Sequence, residues 1–154
     1  MYPSREGLPE YLAYRQEVET VVRTINERWG TPDWTPILLF PSDDFPRSVA
    51  ALRLADVLFV NPIRDGLNLV ASEGPLVNER DAVLLLSPEA GIWDVLGDVA
   101  RAVHPYDVSG TADALAEALA LEPAQRAVEA AALRERAAAR TPADWLADQL
   151  AAAG

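Results

Sequence analysis

Three short stretches of this chain are apolar at every position rather than at every second one. They are Ile37-Leu38-Leu39-Phe40 between Pro36 and Pro41, Val57-Leu58-Phe59-Val60 between Asp56 and Asn61, and Val83-Leu84-Leu85-Leu86 between Ala82 and Ser87. A strand with one wet face alternates apolar and polar residues, so an unbroken run asks for burial on both faces. A weaker fourth run covers Val99-Ala100-Arg101-Ala102-Val103. Segments of helical length separate the later runs. Strands of this kind, spaced in this way, form a parallel sheet covered by helices on both sides. The expected class is α/β, with about four strands.

The helical segments carry their own signals. Leu12, Val18, Val21, Val22, Ile25 and Trp29 share one helical face between Pro9, suited to a first turn, and Gly30, suited to the position past the end. Ser42, Asp43 and Asp44 can cap a short helix through Val49 and Leu52. After Asp107 the chain turns Ala-rich: Ser109 is expected to cap a helix through Leu115 and Leu119, and Pro123 opens another. Thr141-Pro142-Ala143-Asp144 sets a capping Thr, a Pro at the first helical position and an acid at the third, which predicts a last helix.

Charge and missing residue types exclude several functions. The formal net charge is −11, and all 13 basic residues are Arg. No basic stripe is available to displace counterions from nucleic acid. Without Lys there is no Schiff base, no Walker-type lysine and no amine general base. Without Cys there is no disulfide and no thiolate metal site. The first residues, Met1 to Glu6, have no apolar h-region, and no run approaches the ~20 apolar residues of a membrane span. A soluble, cytoplasmic chain with no nucleic-acid or membrane partner is expected.

The segment that carries chemistry is Asn61-Pro62-Ile63-Arg64-Asp65-Gly66-Leu67-Asn68-Leu69-Val70-Ala71-Ser72-Glu73. It follows a strand and opens a helix, at the sheet edge where doubly wound folds bind ligands. Asp65-Gly66 is expected to make the turn and Asn68 to cap the helix. The amides just after Asn68 would then face outward at the positive helix end, where an anion such as a diphosphate fits. Asp65 in the turn and Glu73 nearly two turns along can accept hydrogen bonds from hydroxyls at both ends of one ligand. The same pattern also describes a capping turn followed by a solvated acid.

Arg64-Asp65-Gly66-Leu67-Asn68-Leu69-Val70-Ala71-Ser72-Glu73 closely resembles the Arg-Asp-Gly-Met-Asn-Leu-Val-Ala-Lys-Glu signature of trehalose-6-phosphate synthases. These are retaining glycosyltransferases built from two Rossmann-like domains, the GT-B architecture. The likeness continues in order through Pro3-Ser4-Arg5-Glu6-Gly7, Ile25-Asn26-Glu27-Arg28-Trp29-Gly30, Ala55-Asp56-Val57, Leu86-Ser87, Ala90-Gly91 and Pro105-Tyr106-Asp107. It implies an incomplete Rossmann-like domain with a helical C-terminal tail. By resemblance, Asp65 is the catalytic-site acid that binds hydroxyls of the donor glucose. Gly66, Leu67, Asn68, Leu69 and Val70 would hold the sugar and its phosphates, with Ala71 and Ser72 completing the donor segment. Glu73 would bind the ribose hydroxyls, the backbone near Asp43 would contact the base, and Arg5 would contact the phosphate of the acceptor. The implied partners are UDP-glucose and glucose 6-phosphate; no metal or cofactor is implied.

Departures from the signature are Ser72 in place of Lys, Gly74-Pro75 in what should be helix interior, and Glu89 with Ile92-Trp93-Asp94 in a stretch that is small-residue in the family. A proline inside a helix costs about 3 kcal/mol, so a kink is expected after Glu73. His104, the single histidine, precedes Pro105 at a strand end and reads as structural. The chain is expected to be one domain over residues 1–154, the donor-binding half without the acceptor domain, and inactive alone. It is expected to form a homodimer or to pair with a chain supplying the other half. The alternative is a non-catalytic nucleotide-sugar-binding or regulatory subunit.

Overall fold

A computed structural model describes residues 8–153, which fall into two compact units divided after Phe45. The first is built on α1 (Pro9–Trp29), which opens with Pro9 at its first position and closes when Gly30 N–H donates to Asn26 O at 2.8 Å. Of its expected apolar face, Val18, Val22 and Ile25 are half-buried, whereas Leu12, Val21 and Trp29 are exposed. The run Ile37–Phe40 is not a strand. The amide side chain of Asn26 takes both backbone groups of Ile37, donating to its carbonyl and accepting from its N–H at 2.9 Å each. Among the described residues no strand lies alongside, so the ladder a strand requires does not form.

The second unit contains the sheet. After α2 (Phe45–Leu54) come β1 (Val57–Val60), α3 (Leu69–Val77), β2 (Val83–Leu86), the single turn α4 (Trp93–Leu96) and β3 (Arg101–Ala102). Three long helices follow: α5 (Val108–Ala120), α6 (Pro123–Ala138) and α7 (Pro142–Ala153). The sheet is wholly parallel in the order β1-β2-β3, with Val57 opposite Val83 and Leu85 opposite Arg101. It therefore has three strands, one fewer than expected. The fourth apolar run shrinks to two residues because the amides of Val99 and Ala100 turn back to Leu96 O, extending the end of α4 instead of the ladder.

The predicted burial on both faces is complete in β2 and partial in β1, where Val57 is half-buried and Phe59 exposed. Leu58, Val60, Ala82, Leu84 and Leu86 face one core with Ala71 of α3, Leu96 of α4 and Leu133 of α6. Val83, Leu85 and Val103 face the other, against Ala118 of α5. All four residues of β2 are buried. Complete burial of a leucine is worth roughly 1.5–3 kcal/mol, so Leu84, Leu85, Leu86 and Leu96 anchor the unit. α5 is capped by Asp107, whose carboxylate accepts from Gly110 N–H at 2.8 Å; the expected cap, Ser109, sits inside the helix. α7 begins with the predicted box: Asp144 N–H reaches Thr141 Oγ1, and Thr141 N–H reaches the Asp144 carboxylate. None of the described helices is long and apolar enough to cross a membrane.

Candidate functional site

β1, β2 and β3 run parallel, so the loops that follow them all emerge at one edge. The loop after β1 reaches α3 through a sharp turn at Asn68, which has a left-handed backbone (φ 77°, ψ 89°). Asn tolerates that conformation better than most residues. Its side chain holds the turn at both ends: Oδ1 accepts from Ala71 N–H at 3.1 Å, and Nδ2 donates to Asp65 Oδ2 at 2.9 Å. Asn68 thus caps the helix as its position predicts, and in addition it orients the Asp65 carboxylate. An aspartate there could cap but could not donate.

The first amides of a helix have no acceptor within it. Asn68 takes that of Ala71, which leaves those of Leu69 and Val70 at the helix start. Ser72 is half-buried and Ala71 fully buried, so these two carry the helix rather than face outward. Glu73 is the fifth residue of α3 and exposed, closer to the turn than the sequence spacing suggested. α3 passes through Pro75 and stops two residues later, at Val77. The helix tolerates Gly74-Pro75 because both are buried and Gly74 meets Leu58, where a Cβ would come within 2.7 Å of a Leu58 methyl.

Gly66 does not supply a left-handed conformation; no described glycine has positive φ. What holds the turn comes from the next loop. Asp65 N–H donates to Glu89 O at 3.1 Å, Gly91 N–H donates to Asp65 O at 3.1 Å, and Ile92 N–H donates to Leu67 O at 2.9 Å. Asp65 and Ala90 form a parallel bridge, so the pairing of β1 and β2 resumes beyond their ends. Sequence reading marked Ala90-Gly91 as a matching block but gave it no role. The only local signal at position 91 was the glycine itself.

Asp65, Gly66, Leu67, Leu69, Val70 and Glu73 are all exposed, which leaves this edge open. Asp43 is exposed and belongs to the first unit. Arg5 lies outside the described residues. His104 is exposed in the loop after β3, at the same edge as the turn. Among the described residues no cluster of three or more His, Asp or Glu is placed to hold a metal ion.

A parallel sheet with an acid-bearing turn feeding a capped helix at its C-terminal edge is the layout of a Rossmann-like α/β domain, a class whose ligands bind at that edge. The family model for glycosyltransferase family 20 matches residues 1–153, and the chain belongs to that family. It is 39% identical over 150 residues to a validamine 7-phosphate valienyltransferase of Streptomyces hygroscopicus subsp. jinggangensis, covering 97% of this chain and 30% of that protein. It is 37% identical over 146 residues to a bifunctional trehalose-6-phosphate synthase/phosphatase of Thermoproteus tenax, covering 93% of this chain and 20% of that one. Among solved structures, a UDP-forming trehalose-phosphate synthase from Burkholderia xenovorans superposes with a TM-score of 0.89 at 33% identity, over 97% of this chain and 34% of the other. The fold is therefore that of a trehalose-phosphate synthase part. The chain spans 20–30% of the length of these two curated relatives.

Proposed function

We propose that this chain is the nucleotide-sugar-binding part of a glycosyltransferase that moves a glycosyl group to a phosphorylated acceptor, in the manner of glucose passing from UDP-glucose to glucose 6-phosphate. The observation that carries the reading is the turn from Asp65 to Val70. It presents an oriented carboxylate beside two helix-start amides, and a diphosphate flanked by hydroxyl-bearing rings fits both. Asp65 binds hydroxyls of the transferred sugar, and Gly66 to Val70 hold the sugar and its phosphates. Ala71 and Ser72 support this segment, and Glu73 binds the ribose. Arg5 and the backbone near Asp43 are assigned to the acceptor phosphate and the base by the family signature alone.

Transfer needs water excluded from the reacting centre, and Asp65 and Glu73 are open to solvent. On this reading the isolated chain binds donor and does not transfer, so a chain contributing a facing surface completes the site. A second reading is favoured by the 39% identity to a valienyltransferase: the transferred ring is a cyclitol and the acceptor an amino-cyclitol phosphate. Both readings share the nucleoside diphosphate and differ at Asp65.

Calorimetry with UDP-glucose and UDP tests the proposal. Binding in the millimolar range, about 4 kcal/mol, is expected. Glu73→Ala should weaken both ligands, while Asp65→Ala should weaken only the sugar-bearing one. Equal effects of both substitutions on both ligands would sink the assigned roles.

A further inference from the structure

Gly91 is exposed, and its backbone is not left-handed. Neither burial nor conformation therefore explains a glycine at this position. Proximity does: a Cβ on Gly91 would lie 2.0 Å from Gly66 O, 2.8 Å from Gly66 C and 3.4 Å from Leu67 Cα. All three atoms are backbone, so no side chain can rotate away to make room. The turn would have to move by about an ångström to restore an ordinary contact.

The Gly91 loop is itself rooted in the core. Ser87 is fully buried; its N–H donates to Val60 O at 2.9 Å, and its Oγ accepts from Glu89 N–H at 3.1 Å. Ala90 and Ile92 are buried in the cluster that contains Leu58, Leu86 and Leu96. From this base the loop makes three backbone hydrogen bonds to Asp65 and Leu67, on either side of Gly66. One loop thus fixes both flanks of the turn, and the missing side chain at position 91 sets how closely it sits.

We infer that Gly91 and the Glu89–Ile92 loop are positioning elements for the donor site: they set where Asp65 and the first amides of α3 stand. The inference rests on the donor-binding reading above. It adds that the site's geometry is dictated from the loop after β2, by residues that touch no ligand. A preorganised site loses much of its affinity when displaced by about an ångström, with losses of up to about 100-fold recorded for catalytic geometry.

The test is a titration of the full chain with UDP-glucose, followed by amide chemical shifts at Leu69 and Val70, for wild type, Gly91→Ala and Gly97→Ala. Gly97 is the matched control. A Cβ there would meet Trp93 at 2.6 Å, straining the neighbouring α4 without contacting the turn. Wild type should bind, Gly91→Ala should bind at least tenfold more weakly, and Gly97→Ala should stay within threefold of wild type. Wild type binding with Gly91→Ala unchanged overturns the positioning role alone, and so does an equal loss in both variants. No shift in wild type removes the donor-binding reading and this inference with it. If Gly91→Ala does not fold, hydrogen exchange on wild type decides: the amides of Asp65, Gly91 and Ile92 should be protected to the level of β2, and exchange at unprotected rates would overturn the clamp.

Discussion

Replacing Asn78 should destabilise the sheet-bearing unit more than any exposed substitution. Asn78 is buried at 7% exposure and uses its whole side chain. Nδ2 donates to Leu52 O at 2.7 Å and Ala55 O at 2.9 Å, and Oδ1 accepts from the N–H groups of Arg80 and Ala82 at 2.9 Å each. Leu52 O belongs to the last turn of α2, where carbonyls lack helical partners. One amide therefore closes α2, ends α3 as the residue after Val77, and starts the approach to β2. Each hydrogen bond is worth about 1 kcal/mol net, and a partner stranded without water costs more. The Ala82 site is buried while the others admit some water, so Asn78→Ala should cost about 3–4 kcal/mol. At roughly 2–4 °C per kcal/mol for a chain of this size, the melting midpoint should fall by about 10 °C by calorimetry. Asn78→Asp adds a sharper check. It keeps the two accepted bonds but sets a carboxylate oxygen against two carbonyls, which raises its pKa in the folded state. The folded state then binds the proton more tightly, so the variant's deficit should be largest near pH 7 and shrink as pH falls through the raised value. Asn78→Ala melting within a degree of wild type, or Asn78→Asp matching wild type at pH 7, would refute the reasoning.

Three further outcomes are expected. Asn68→Gly should relieve the left-handed backbone but lose the cap, so it should cost less than Asn68→Ala, which loses the cap and keeps the strain; urea unfolding orders the two, and Ala proving the milder change would contradict the account. Hydrogen bonds from Thr141 hold Asp144 below its ordinary pKa, so the capped start of α7 should be fully present above the usual carboxylate range and fray only as pH falls below that range through the lowered value, followed by Trp145 fluorescence. β1 is an edge strand of four apolar residues with Phe59 exposed, so the chain should associate at micromolar concentration, and light scattering showing a clean monomer would count against this.

What could be read from the sequence depended on how far apart the cause and its effect lie. β1 and β2 were legible because an unbroken apolar run marks each, Val57–Val60 and Val83–Leu86, although only β2 is buried on both faces. The Thr141 box and the Asn68 cap were legible because donor and acceptor are three residues apart. Ile37–Phe40 has the same apolar signature as β1, yet it forms no strand. A ladder needs a neighbour, and Asn26 has taken the backbone of Ile37. Ser109 was a sound candidate cap, displaced by two residues because Asp107 reaches Gly110 first. Gly91 was invisible for a different reason: its constraint is a contact with Gly66, and nothing local to position 91 announces it.

The distribution of donors and acceptors along the turn gives the donor-binding proposal its physical content. A nucleoside diphosphate-sugar is anionic and accepts hydrogen bonds in the middle, and it carries hydroxyl donors at both ends. The turn has the complementary order. The helix-start amides of Leu69 and Val70 are donors between two carboxylates, Asp65 before them and Glu73 after. Asn68 commits only Oδ2 of Asp65, so the second oxygen can accept from a hydroxyl. The surrounding charge works against an anionic ligand, since the chain carries a net −11. Local donors must therefore overcome a repulsive field, and they do so only if their positions are fixed in advance. The Glu89–Ile92 clamp and the Asn68 cap supply that fixation from opposite sides of the same turn, one from the core and one from the helix. On this reading the site's affinity is set by rigidity as much as by the groups that touch the ligand.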